Sequence, residues 1–140
     1  MSENKKNVKI DSLNIIVSEL PFQVFSTVSG TFDGINVYIG GGPDPHIGAV
    51  AISTPRPSLK DSEKLSCTTS IYNCIGHKDD VIAKKFSEAL CLRYNCVTVV
   101  SAGIHLDNIT PAGIQQFQQL SAELLDKVIR GLDDIKDDHV

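Results

Sequence analysis

Apolar residues recur at every second position through much of the first half of the chain. They recur at every third or fourth position near its end. In the run 22–29, Phe22, Val24, Ser26 and Val28 fall on one side, and Ile35, Val37 and Ile39 repeat the alternation. Successive side chains of a strand point to opposite faces, so both runs predict strands with one buried face. Gly30-Thr31-Phe32-Asp33-Gly34 lies between them, and Asp-Gly between alternating runs signals a hairpin. Residues 11–17, with Leu13, Ile15, Ile16 and Val17, predict a short strand ahead of these. A further strand is expected over 47–53, where Gly48, Ala49 and Ala51 leave room for a close neighbour, either a helix or a ligand. Thr54-Pro55-Arg56-Pro57-Ser58 reads as a rigid loop, because each proline fixes φ and removes a donor. Residues 64–74, rich in Thr, Ile and Tyr, predict a long strand.

The period then changes. Val81, Ile82, Phe86, Ala89 and Leu90 form an apolar stripe on a helix expected from about Gly76 to Tyr94. Asp79 and Asp80 fall in its first turn, where the dipole favours negative charge, and Lys84 and Lys85 face solvent. Residues 97–102 predict a compact apolar strand. Thr110-Pro111 marks the start of the last helix, with Thr as N-cap and Pro at the first helical position. Ile114, Phe117, Leu120, Leu124, Val128 and Leu132 supply its apolar face. Strands first, then helix, strand, helix, predicts an α+β fold: a largely antiparallel sheet with two helices packed on one face. The expected organisation is a flexible N-terminus over 1–12, one α+β domain over 13–132 and an acidic disordered tail over 133–140.

Composition narrows the partners. A chain of 140 residues suits one domain with one core. A net charge of −4 argues against a general nucleic-acid binder, which carries a basic surface. No stretch approaches the roughly 20 apolar residues of a membrane helix, so no membrane contact is expected. The polar start carries no signal-peptide pattern. Cys67, Cys74, Cys91 and Cys96 form no C-x-x-C pair and sit among apolar or β-type neighbours, so free thiols and a cytoplasmic setting are expected.

Four segments carry candidate chemistry. The first is Gly40-Gly41-Gly42-Pro43-Asp44-Pro45-His46-Ile47-Gly48, whose glycines can expose backbone N–H groups to an anion. It is no Walker loop, since no G-K-[ST] follows; the competing reading is an ordinary Gly/Pro turn. The second holds Arg56 between two prolines, with Ser58 and Lys60 beyond. A guanidinium on a stiff loop loses little freedom on meeting a phosphate or carboxylate, although a solvated charge is the plainer alternative. In the third, His77 stands at a predicted helix start, an anion-binding position or merely a capped one. The fourth, Ser101-Ala102-Gly103-Ile104-His105-Leu106-Asp107, leaves a buried strand and pairs His105 with Asp107 as ligands, as ring and orienter, or as a structural pair. If these loops share one sheet edge, His46, His77 and His105 could meet, and three imidazoles suit zinc or another first-row divalent ion. No G-x-S-x-G elbow or Cys/His nucleophile pattern is present.

The same four segments resemble the LpdD-like prenylated-flavin chaperones, small partners of UbiD-type hydroxyarylic-acid decarboxylases. The resemblance runs from about Phe22 to Leu132. It implies a proteasome-assembly-chaperone-like fold, a tendency to form homodimers and a non-catalytic role. The implied task is to hold prenylated flavin mononucleotide, made by a flavin prenyltransferase, and help deliver it to the apo-decarboxylase. Carried over, Gly41, Gly42, His46, Gly48, Arg56, Ser58 and Lys60 would contact the cofactor, with Arg56, Ser58 and Lys60 on its phosphate. His46, His77 and His105 would hold a divalent metal or the cofactor itself. The residues are compatible: glycine amides, a proline-locked Arg and a metal can take a dianionic phosphate, and Gly48, Ala49 and Ala51 leave a flat surface for the ring system. Two other readings stay open. One is an assembly or interaction protein without a small-molecule ligand. The other is a metal-dependent enzyme with Asp107 or Asp79 as general base.

Overall fold

The computed structural model describes residues 12–19, 21–74, 79–105 and 110–137, with side chains up to residue 135. Six strands and two helices follow in the order β1 (Leu13–Glu19), β2 (Phe22–Gly30), β3 (Gly34–Gly41), β4 (Ala49–Pro57), β5 (Leu65–Asn73), α1 (Asp80–Tyr94), β6 (Val97–Ile104) and α2 (Pro111–Asp137). They form one sheet in the order β1-β2-β3-β6-β4-β5. The last strand in sequence therefore enters the middle. It pairs parallel to β3 and antiparallel to β4, and every other pairing is antiparallel.

The register shows why one face is dry. Val28, Val37, Val100 and Ala51 lie side by side across four strands, and all are buried. Ser26, Ile39, Ala102 and Ala49 form the next buried row. Both helices cover this face, α2 over β1 and β2, α1 over β4, β5 and β6. The expected α+β arrangement with two helices on one face is the observed one. Ala83, Phe86, Leu90 and Tyr94 form the inner side of α1, and Phe117, Leu120, Leu124, Val128 and Leu132 that of α2. Val81 and Ile114, expected on the apolar stripes, point outward instead. Ala49 and Ala51 have no exposed surface. Their smallness makes room for α1 and not for a flavin ring.

Two boundaries differ from expectation. The proline segment is not a loop: Pro55 and Pro57 lie in β4, opposite Cys67 and Leu65 of β5. The Ser58 N–H donates to the Lys64 carbonyl, so by strand alternation the even residues of β4 turn their amides toward β5. Pro55 and Pro57 face the other side, where among the described residues β4 has no partner beyond Ser53. A missing N–H breaks no ladder there.

The second difference is the tail. Helix α2 continues through Asp137, so residues 133–137 are helical and not disordered. Asp133 anchors this last stretch: its carboxylate accepts hydrogen bonds from the Arg93 guanidinium and from the Tyr94 hydroxyl at 2.7 Å. Burial, and then the bond to Asp133, push the Tyr94 phenol above its ordinary range. All four cysteines are free, Cys91 and Cys96 buried and Cys67 and Cys74 half-buried. Burial, reinforced by Cys67 and Cys96, pushes the Cys91 thiol up to about 12. No helix among the described residues is long and apolar enough to cross a membrane.

Asp133→Ala should lower unfolding free energy by about 1.5 kcal/mol in urea titration, the scale of a charged hydrogen bond to a buried hydroxyl. The exposed neighbour Asp134→Ala should stay within about 0.5 kcal/mol of the parent chain. Equal effects would contradict the anchoring of α2 by Asp133.

Candidate functional site

Because β6 runs parallel to β3 and antiparallel to β4, the ends of β3 and β6 and the start of β4 lie at one end of the sheet. Helix α1 starts there too, after β5. This end gathers the β3–β4 connection, the β6 end and Asp79.

Close backbone crossing shapes it. Gly42 turns with φ +75°, a left-handed conformation that favours glycine, and a Cβ there would lie 1.9 Å from the His105 carbonyl oxygen. A Cβ on Gly103 would lie 1.7 Å from the His46 carbonyl oxygen. The connection thus folds directly over the end of β6. It is sewn down by His105 N–H to Gly41 O (3.2 Å), His46 N–H to Gly103 O (3.4 Å) and Gly48 N–H to Ala102 O (2.8 Å). The Gly42 N–H donates to Gln23 O at 3.3 Å. The amides of Gly42 and Gly48 are therefore spent on strand carbonyls. Gly42 also admits the neighbouring His105 backbone.

The side chains then converge. The rings of His46 and His105 stand edge to face with centroids 5.9 Å apart. Tyr38 donates its hydroxyl to His46 O at 2.8 Å, and its ring lies 5.9 Å from that of Phe25. Burial, and secondarily the charge of Asp79, raise the Tyr38 phenol above its ordinary value. Asp79 is buried, with Oδ1 accepting the Ile104 N–H at 3.0 Å and Oδ2 lying 3.5 Å from His46 Nε2. His46 Nδ1 lies 3.2 Å from the Asp44 carbonyl oxygen. Both nitrogens of His46 thus face acceptors. A neutral imidazole carries one N–H, so the ring donates to one of these acceptors at a time.

Of the residues singled out in the sequence, Gly41, Gly42, His46, Gly48 and His105 come together here. His77 and Asp107 lie outside the described residues. Among the described residues, no group of three His, Cys, Asp or Glu is placed to hold a metal ion. Arg56, Ser58 and Lys60 sit at the opposite end of β4. Seven residue steps separate Ala49 from Arg56, about 23 Å along a strand. Arg56 is tied locally, Nε to Thr68 Oγ1 at 2.7 Å and Nη1 to Pro57 O at 3.0 Å, and Ser58 Oγ accepts the Lys60 N–H at 3.2 Å. Sequence reading did not single out Tyr38 and Phe25. Their only signal was an aromatic ring on the non-core side of an alternating strand. Asp79 was noted for the helix dipole and as a possible base, and its actual partners on β6 and the β3–β4 connection are long-range.

The chain is similar to one in the crystal structure of a novel chaperone complex for yeast 20S proteasome assembly. The identity is 15% and the TM-score 0.55, over 89% of this chain and 96% of that one, a likeness that shows the fold alone. Residues 18–133 match the prenylated flavin chaperone LpdD-like domain, and the chain belongs to that family. It is accordingly a chaperone-type accessory protein and not an enzyme. No curated protein matches the chain.

Gly103→Ala should destabilise the fold by about 3 kcal/mol, the upper range for overpacking, because backbone and not a flexible side chain occupies the space. Denaturant unfolding measures it. Unchanged stability would show that the connection does not cross β6 at this point.

Proposed function

We propose that this chain binds prenylated flavin mononucleotide at the His46–His105 end of the sheet and hands it to a UbiD-type aromatic-acid decarboxylase, after a flavin prenyltransferase has made it. The observation that carries the reading is the convergence of His46, His105, Tyr38 and Phe25 within the region that matches the flavin-chaperone family. A flavin offers a flat aromatic system with polar edges and a dianionic phosphate. Aromatic rings meet the first by stacking or edge contacts, and imidazole N–H groups meet polar edges and phosphate. A carrier also has to release its cargo, which favours a site at an open sheet end over a closed cavity.

The uncovered sheet face bears on assembly. Tyr72 and Ile16 are 73% and 58% exposed there, and Ile52 lies beside the half-buried Val99. Val50 continues the surface beside Tyr72. We assign this face to a second copy of the chain, as in the homodimer the family resemblance implies. Exposed apolar side chains on a sheet face that neither helix covers suit an association site.

An anaerobic titration with reduced prenylated flavin mononucleotide tests the cargo site. His105→Ala should weaken binding at least tenfold, about 1.4 kcal/mol. Arg56→Ala should change it less than twofold, because Arg56 lies about 23 Å along β4 from Ala49. The reverse pattern would move the phosphate to the β4–β5 hairpin. No binding by the parent chain would favour a protein that assembles other proteins without a small-molecule cargo.

A further inference from the structure

We propose that Asp79 is the positioning residue of this site: its carboxylate ties the end of β6 to the His46 ring and so fixes His46 against His105. The proposal rests on the flavin reading given above. An aspartate directly before a helix ordinarily caps it, accepting N–H groups of the first turn. Asp79 precedes α1 with φ −75° and ψ −8° and makes no such side-chain bond. Its carboxylate meets two other segments. Oδ1 takes the Ile104 N–H at 3.0 Å, and Oδ2 stands 3.5 Å from His46 Nε2.

Three separate segments meet through this one side chain: the start of α1, the end of β6 and the β3–β4 connection. The side chain is only 8% exposed, whereas that of His46 is 25% exposed. Burying a carboxylate is unfavourable unless donors surround it, so a buried Asp that forgoes its cap is held by its other partners. On the far side of His46, the Nδ1 contact with Asp44 O and the Tyr38 bond to His46 O complete the clamp. His46 thus has an acceptor beside each ring nitrogen, and its carbonyl accepts the Tyr38 hydroxyl; a neutral ring donates at one nitrogen only, and in the proposal that nitrogen is Nε2. Its ring edge or face is what remains to meet His105 and an aromatic cargo.

Asp79→Asn separates positioning from folding. An amide oxygen can still accept the Ile104 N–H, but its NH2 group then faces His46 Nε2 and reverses the polarity of that contact. The measurement is a pair. Long-range proton–nitrogen spectra of the ring-labelled full chain report which His46 nitrogen carries a proton. Anaerobic titration with reduced prenylated flavin mononucleotide reports affinity. In the parent chain Nε2 should carry a proton; in Asp79→Asn it should lose it, the His105 signals should shift, and affinity should fall at least tenfold. His46→Ala should lose as much, and the double variant no more than either single one, because the two residues act as one unit.

An unprotonated Nε2 in the parent chain overturns the proposal even if Asp79→Asn fails to fold. So do unchanged His46 signals in Asp79→Asn, or changed signals with unchanged affinity. If the parent chain binds and only the variants fail as described, both readings stand. If the parent chain does not bind, the flavin reading falls and the positioning role for that cargo falls with it.

Discussion

The structure depends on one pairing, the parallel ladder between β3 and β6. Without it the chain would be two separate three-stranded antiparallel units, β1-β2-β3 under α2 and β6-β4-β5 under α1, with no shared core. With β6 inserted, the buried rows run unbroken from β2 to β4, and the two helices cover a single face. The same pairing sets the location of the site. It brings the end of β3, the end of β6 and the start of β4 to one sheet end. The connection from β3 to β4 must then cross the end of β6, and Gly42 and Gly103 are the residues that allow two backbones to pass so closely.

Much of this fold was legible along the chain. Alternation at Val24, Ser26, Val28 and at Ile35, Val37, Ile39 identified the strands and their buried face, because the period of a strand is a local property. The apolar repeat from Phe117 to Leu132 identified the inner side of α2 for the same reason. Strand order was not legible: nothing within residues 97–104 says which neighbours they will have. The prolines of β4 misled because their penalty depends on whether a partner strand lies on the amide side, and that is set by where β6 begins. Asp133–Asp137 misled because acidic composition suggests a solvated tail, while Arg93 and Tyr94, which hold Asp133, are about forty positions earlier.

The candidate site divides along the same line. His46 and His105 stood out because each sits where a strand meets a loop, and the fold does bring them together. Arg56, Ser58 and Lys60 stood out by composition, yet their distance from the histidines follows from the direction and length of β4, which no local pattern reveals. Tyr38 became visible only through contacts made across strands, and so did the partners of Asp79. For a chaperone of this family the result is a polar and aromatic sheet end beside a sheet face that neither helix covers.

The central claim, that the cargo sits at the shared end of β3, β6 and β4, is tested most directly by amide chemical shifts of the isotope-labelled chain as reduced prenylated flavin mononucleotide is added under anaerobic conditions. The account predicts large shifts for residues 41–48 and 101–105, with residues 56–68 at the far end of β4 and β5 unmoved. Shifts concentrated at residues 56–68, with 41–48 and 101–105 unmoved, would contradict it.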